Sequence, residues 1–283
     1  MKGTAAALAF FCAAIGAAAA EPSNATNWTQ GFNNKSRVIA GEASGGPVKG
    51  AHALFAALEI SMPAGWKTYW RNPGEAGGVP PEFDFSGSEN LQSATVLYPA
   101  PHRLIDPKAG VNIGYKEHVI FPIAIVPKTP GAPIGLKIKA AYGVCKDICV
   151  PAEAEFSIDI VPDAPPSEQI ATALSAVPAA LAVNTAAPDS PRVTRWQVDA
   201  ADAKAPKLKF EVDDPSAESG DAFLFSPDGL YLPLPEKLSA SGGKAVYQAD
   251  LSDGVDLKDI KGKQIGITVT GLKGQSETII QIP

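Results

Sequence analysis

Apolar and polar residues alternate with period two along much of this chain. The pattern is clearest between residues 136 and 160. Leu136, Ile138 and Ala140 alternate with Lys137 and Lys139, and after a break Ala152, Ala154, Phe156, Ile158 and Ile160 alternate with Glu153, Glu155, Ser157 and Asp159. Such alternation sends one face of a strand into a core and the other into water. Comparable runs predict strands over 51–62, 91–98, 119–126, 136–141 and 152–161, and further on over 208–212, 223–225, 246–251, 265–269 and 278–282. Short strands at this spacing, separated by turn residues, predict β-sandwiches. The stretch between the two groups is rich in Ala, Pro and Ser, with a short helix predicted over Ser167–Ala176 and Ser167 as its cap. The chain therefore reads as all-β, with a sandwich over 51–162, a Pro/Ala-rich linker over 163–191 and a second sandwich over 192–283. The polar, Asn-rich start of the mature chain reads as a flexible arm over 21–50.

Residues 1–20 carry an early lysine, an apolar Ala/Phe/Leu run and Ala18-Ala19-Ala20 before Glu21. This is the pattern of a cleaved secretory signal. The run is too short to span a membrane, and nothing later approaches about 18 consecutive apolar residues, so the expectation is a soluble, periplasmic protein. Cys12 lies within the apolar run and is read as discarded with it. The 26 Pro and 26 Gly in 283 residues suit a turn-rich β protein. A net charge of −6 without a basic cluster argues against nucleic acid as a partner. There is no Gly-x-Ser-x-Gly elbow, no His-Glu-x-x-His and no P-loop ending, which argues against conventional hydrolase and phosphate-binding sites.

What remains for chemistry is Cys145-Lys-Asp-Ile-Cys149. Residues four apart on one strand are about 13 Å apart at roughly 3.3 Å per residue. A disulfide needs Cα atoms within about 4.4–6.8 Å. Because both flanks have strand periodicity, the economical arrangement is a hairpin with Lys146-Asp147-Ile148 as its turn and the cysteines facing each other. Gly143 permits unusual backbone angles just before it, and Pro151 is expected to end local pairing just after. Closing so short a loop stabilises a fold by only about 2 kcal/mol on chain-entropy grounds. A tight, exposed loop also favours a reducible bond, so thiol–disulfide exchange through Cys145 and Cys149 is preferred over a structural staple. No bound cofactor is needed.

Around the pair, Lys146 can favour a thiolate and Asp147 oppose it, the alternative for Lys146 being a solvated turn residue. Trp66, Tyr69, Trp70 and Tyr142 are candidates for shielding the pair or contacting a partner, with core packing as the alternative for each. Two other classes compete with exchange. Soft thiolates select Cu(I), which makes a Cu(I)-binding module with His52, His102 or His118 as third ligand a rival reading. A non-catalytic interaction domain is the other. The second sandwich, without Cys or His, reads as support or docking.

Two segments, Gly65-Trp-Lys-Thr-Tyr-Trp-Arg-Asn-Pro-Gly74 and Tyr142-Gly-Val-Cys-Lys-Asp-Ile-Cys-Val-Pro151, together resemble the periplasmic N-terminal domain of the DsbD/ScsB thiol:disulfide interchange family. The trailing β region resembles the second sandwich of ScsB-type proteins. This resemblance implies immunoglobulin-like sandwiches and a protein-disulfide oxidoreductase-type exchange. It makes Cys149 the residue that forms mixed disulfides and Cys145 the resolving partner. It implies a membrane-embedded DsbD- or CcdA-like electron donor and thioredoxin-like or peroxiredoxin-like exported partners, with copper tolerance as one physiological context. Full-length family members continue into a membrane domain and a thioredoxin domain; this sequence reaches Pro283 without either, so a stand-alone protein with separate donors is expected.

Overall fold

A computed structural model describes residues 24–45, 48–107, 110–187, 190–202, 205–252 and 257–283; the expected signal over 1–20 lies outside them. In chain order the first part forms β1 (Thr29–Gly31), β2 (Asn34–Gly45), β3 (Val48–Ser61), β4 (Lys67–Tyr69), β5 (Glu82–Asp84), β6 (Leu91–Val96), β7 (His102–Asp106), β8 (Gly110–Lys116), β9 (His118–Pro127), β10 (Ile134–Cys145) and β11 (Cys149–Ile160). One sheet has the order β1-β2-β3-β9-β6, and the facing sheet β11-β10-β4-β8-β7 with β5 beside β10. Val38, Leu58, Ile60, Phe121 and Ile123 meet Ile113, Leu136, Ile138, Val144 and Phe156 in the shared core. The alternation seen in the sequence is the alternation between that core and water.

The second part begins with helix α1 (Glu168–Ser175) and β12 (Ala179–Ala180). It continues through β13 (Arg192–Asp199), β14 (Lys207–Asp213), β15 (Asp221–Phe225), β16 (Glu236–Ser241), β17 (Lys244–Asp250), helix α2 (Leu257–Ile260), β18 (Gln264–Thr270) and β19 (Gln275–Gln281). Its sheets run β12-β19-β18-β15 and β13-β14-β17-β16. Leu208, Phe210, Val212 and Tyr247 face Leu224, Ile265, Ile267 and Ile280 across its core. The all-β, sandwich class expected from the sequence is the observed one.

Two expectations are corrected. The segment 21–50 is not a flexible arm throughout, because Asn34–Gly45 is a twelve-residue strand paired with β3 from Lys35↔Ser61 to Gly45↔Val48. It lacks a clean alternation because both its faces are covered: Val38 and Ala40 enter the main core, while Ile39 and Ala43 pack with Phe55, Ala57, Ile170 and Leu174. Those last two belong to α1, so the stretch 163–191 is no free linker. Ser167 caps α1, its Oγ accepting from Ile170 N at 3.3 Å, and Ala179–Ala180 pairs in parallel with β19. The two sandwiches also touch directly, with Phe223 and Phe225 of β15 joining the core of the first.

Candidate active site

The β10–β11 hairpin stays in register over its whole length, from Ile134↔Ile160 to Cys145↔Cys149. Lys146-Asp147-Ile148 is the turn, closed by Lys146 N donating to Ile148 O at 3.1 Å. The cysteines form a disulfide with Cα atoms 4.2 Å apart. Pro151, expected to end pairing, sits inside β11 opposite Gly143. It is tolerated because β11 is an edge strand and because Gly143 turns its backbone groups the other way. Gly143 N donates to Val79 O at 3.0 Å, and Gly143 O accepts from Thr68 Oγ1 at 2.9 Å.

The two sulfurs are in different surroundings. Cys145 is fully buried, whereas Cys149 is exposed. The burial of Cys145 comes from β4, which lies between β10 and β8 with Lys67 opposite both Cys145 and Lys116. Lys67 and Tyr69 are two residues apart and therefore project to the face that bears Cys145. The Tyr69 hydroxyl reaches Cys145 Sγ at 2.8 Å and Cys149 Sγ at 3.1 Å. The hydroxyl is the donor, since a disulfide sulfur can only accept, and Cys145 Sγ is the nearer of the two sulfurs. Burial raises the Tyr69 pKa, which keeps the phenol protonated and a donor.

A loop seals this face. An added Cβ at Gly78 would lie 2.2 Å from Tyr69 Cε1, and one at Gly143 3.2 Å from Tyr69 Cε2, so the ring is clasped between two glycines. Asn112, buried on β8, donates to Gly77 O at 2.6 Å and accepts from Lys67 Nζ at 2.6 Å. Val79, whose side chain lies over Gly143, is 46% exposed, and Ile148 in the turn before Cys149 is 60% exposed.

Of the residues singled out in the sequence, Cys145, Cys149 and Tyr69 come together, and Lys146 and Asp147 lie exposed in the turn. The Lys146 stem passes over Gly65, where an added Cβ would meet its Cε at 3.3 Å. Trp66 projects to the core side and stands edge-on to Phe32, with centroids 5.9 Å apart. Trp70 is fully buried against Phe223 and Phe225. Tyr142 is buried and donates to Asn34 Oδ1 at 2.9 Å. These three are packed residues of the fold. Gly78, Val79, Lys67 and Asn112 are not singled out by the sequence as site residues: Lys67 lies in the segment Gly65–Gly74, Gly78 and Val79 in the Pro/Gly-rich run 72–81, and Asn112 between the apolar Val111 and Ile113 of β8.

The candidate copper ligands are dispersed. His118 Nε2 is 2.9 Å from Glu59 Oε1, and His102 lies exposed on β7; the side chain of His52 lies outside the described residues. Among the described residues no group of three or more His, Cys, Asp or Glu is placed to hold a metal. No helix among them is long and apolar enough to cross a membrane.

Residues 48–159 match the family model for the N-terminal part of the thiol:disulfide interchange protein DsbD. Among solved structures, the N-terminal periplasmic domain of ScsB from Proteus mirabilis superposes with a TM-score of 0.66 at 21% identity, over 92% of this chain and 98% of that one. This is a likeness of fold that includes both sandwiches. Among curated protein sequences none matches. The first sandwich, with its hairpin disulfide and covering tyrosine, is a domain of the DsbD N-terminal family.

Proposed function

We propose that this chain is an exported thiol–disulfide interchange protein that relays reducing equivalents from a membrane-bound reductase to partner proteins through Cys149 and Cys145. The observation that carries the reading is the unequal burial of the two sulfurs. Cys149 is open to a partner, while Cys145 lies sealed beneath Tyr69. In the reduced protein the Cys149 thiolate attacks one sulfur of a partner disulfide. The partner's S–S bond breaks, its other sulfur leaves as a thiolate and takes a proton, and Cys149 is joined to the partner. The Cys145 thiolate then attacks Cys149 Sγ, re-forming the Cys145–Cys149 bond and releasing the second partner thiolate. Two electrons and two protons pass from this dithiol to the partner disulfide, and a donor dithiol reverses the steps. Tyr69, donating to the buried sulfur, stabilises the Cys145 thiolate that attacks in the closing step and that leaves when a donor thiolate attacks Cys149.

The exposed Ile148 and Val79 give a partner an apolar rim at the entrance. A periplasmic location is supported by the signal-like N-terminus and the match to the DsbD N-terminal family. Equilibration with glutathione, read by mass-tagged thiols, tests the reading. A potential between about −120 and −270 mV, the range of exchanging oxidoreductases, is expected; a value below about −300 mV marks a resistant structural bridge and refutes it. Cys145→Ser is expected to accumulate mixed disulfides through Cys149, and Cys149→Ser to accumulate none. Tight binding of one Cu(I) by the reduced chain, with a potential outside the exchanging range, would shift the reading to copper handling.

A further inference from the structure

The redox pair and the second sandwich meet on one stretch of chain. Tyr69, whose hydroxyl reaches both sulfurs, is followed by three residues that the second sandwich holds. Trp70 is fully buried, with Phe223 and Phe225 edge-on to it at centroid distances of 6.1 and 5.6 Å. The Arg71 guanidinium lies 3.4 Å from the centre of the Phe225 ring and pairs with Glu277 of β19. Asn72, 4% exposed, donates both hydrogens of its amide, to Leu224 O at 2.8 Å and Leu232 O at 2.9 Å. Its Oδ1 accepts from Gly74 N at 3.1 Å, at the start of the loop that covers Tyr69. A second anchor lies nearby, where Arg103 binds Asp221 at 2.8 Å and Pro235 O at 2.7 Å.

This geometry constrains Tyr69 from both directions. Successive Cα atoms are a fixed 3.8 Å apart, so a displacement of residues 70–72 along the chain is passed to Tyr69. The ring cannot absorb it by turning, because Gly78 and Gly143 clasp it closely. On its own β4 is a weak element: it pairs with β10 at one position and with β8 at three.

We propose that the second sandwich positions the redox centre: by gripping Trp70, Arg71 and Asn72 it fixes β4 so that the Tyr69 hydroxyl stays on the sulfurs. Asn72 and Glu277 are positioning residues that touch neither sulfur. The inference rests on the thiol-exchange reading above. Its consequence has a sign. A hydroxyl donates more strongly to a thiolate than to a disulfide sulfur, so a well-placed Tyr69 favours the reduced dithiol. Loosening the grip shifts the pair toward the disulfide.

The test is the equilibrium constant of the pair with glutathione in the whole mature chain, for Tyr69→Phe, Asn72→Ala and Glu277→Gln and for each of the last two combined with Tyr69→Phe. Tyr69→Phe is expected to favour the disulfide about tenfold, which is about 30 mV for a two-electron couple. Asn72→Ala and Glu277→Gln are expected to act in the same direction by about three- to fivefold, and to add nothing in the Tyr69→Phe background, the mark of a shared route. If Asn72→Ala does not fold, as read by its thermal melt, Glu277→Gln and Arg103→Met at half-buried ion pairs make the same comparison. Single variants that leave the constant within about twofold of wild type overturn the positioning role, as do shifts of equal size with and without Tyr69. Either result leaves the exchange reading standing, whereas a wild-type pair too reducing to exchange with glutathione overturns both.

Discussion

Substituting Gly78 by alanine probes how the buried sulfur is sealed. The new methyl would lie 2.2 Å from Tyr69 Cε1 and 2.5 Å from Cδ1 and Cζ, at a backbone φ of +151°. Ordinary carbon contacts are about 3.5–4.0 Å, so ring or loop must yield by more than about 1 Å. The ring has nowhere to go, with Gly143 behind it and the sulfurs at its hydroxyl. Holding the loop in place would cost about 1–3 kcal/mol of overpacking and a further 1–3 kcal/mol or so of backbone strain. Lifting it forfeits the bonds Gly143 N to Val79 O and Asn112 Nδ2 to Gly77 O, together about 1–3 kcal/mol at roughly 0.5–1.5 each. The cheaper route is to lift. Gly78→Ala is therefore expected to lose about 1–3 kcal/mol in urea unfolding and to uncover Cys145. With Cys149→Ser leaving a single thiol, alkylation of Cys145 by iodoacetamide should accelerate about tenfold or more, which corresponds to about 1.4 kcal/mol of easier opening. Stability within about 0.5 kcal/mol of the parent, the usual range of neutral surface changes, together with an unchanged alkylation rate, would refute the idea that this loop is the seal.

Two further outcomes are expected away from the sulfurs. Burial raises the Glu59 pKa, but the hydrogen bonds from His118 and Arg37 outweigh it and leave the carboxyl below its ordinary 4.5. A depressed folded pKa contributes stability that is full above the unfolded value and is lost as pH falls through the folded one; the urea-unfolding gap between wild type and Glu59→Gln should therefore narrow from about pH 6 to about pH 3, and a constant gap would contradict it. Ser167→Ala removes the cap of α1 and should cost about 1 kcal/mol in the same assay, while no loss at all would mean that packing of Ile170 and Leu174 alone sets the start of that helix.

The cysteine hairpin was legible because it is local. Its two strands adjoin in sequence, both flanks alternate strictly, and a three-residue turn leaves one register in which all the apolar residues share a face. The same logic made the sandwich class and the short capped helix readable. It failed for β2, whose two covered faces erase the alternation, and for the role of the stretch 163–191, because its Ala/Pro composition gives no sign that α1 packs on β2 and β3. Among the aromatics near Tyr69, composition cannot separate the one that touches sulfur from those that fill the core. That distinction follows from the phase of a three-residue strand, which turns Lys67 and Tyr69 outward and Trp66 and Trp70 inward.

By itself, then, the sequence determined that two cysteines face each other at the tip of a hairpin, since contiguous periodicity is enough to set a register. Only the tertiary structure decided which sulfur is buried, which phenol donates to it and what holds that phenol in place. Those depend on contacts between residues 76 positions apart, as for Tyr69 and Cys145, or more than 150, as for Asn72 and the β15 carbonyl of Leu224. Such contacts come from the packing of whole sheets, and no local pattern encodes them.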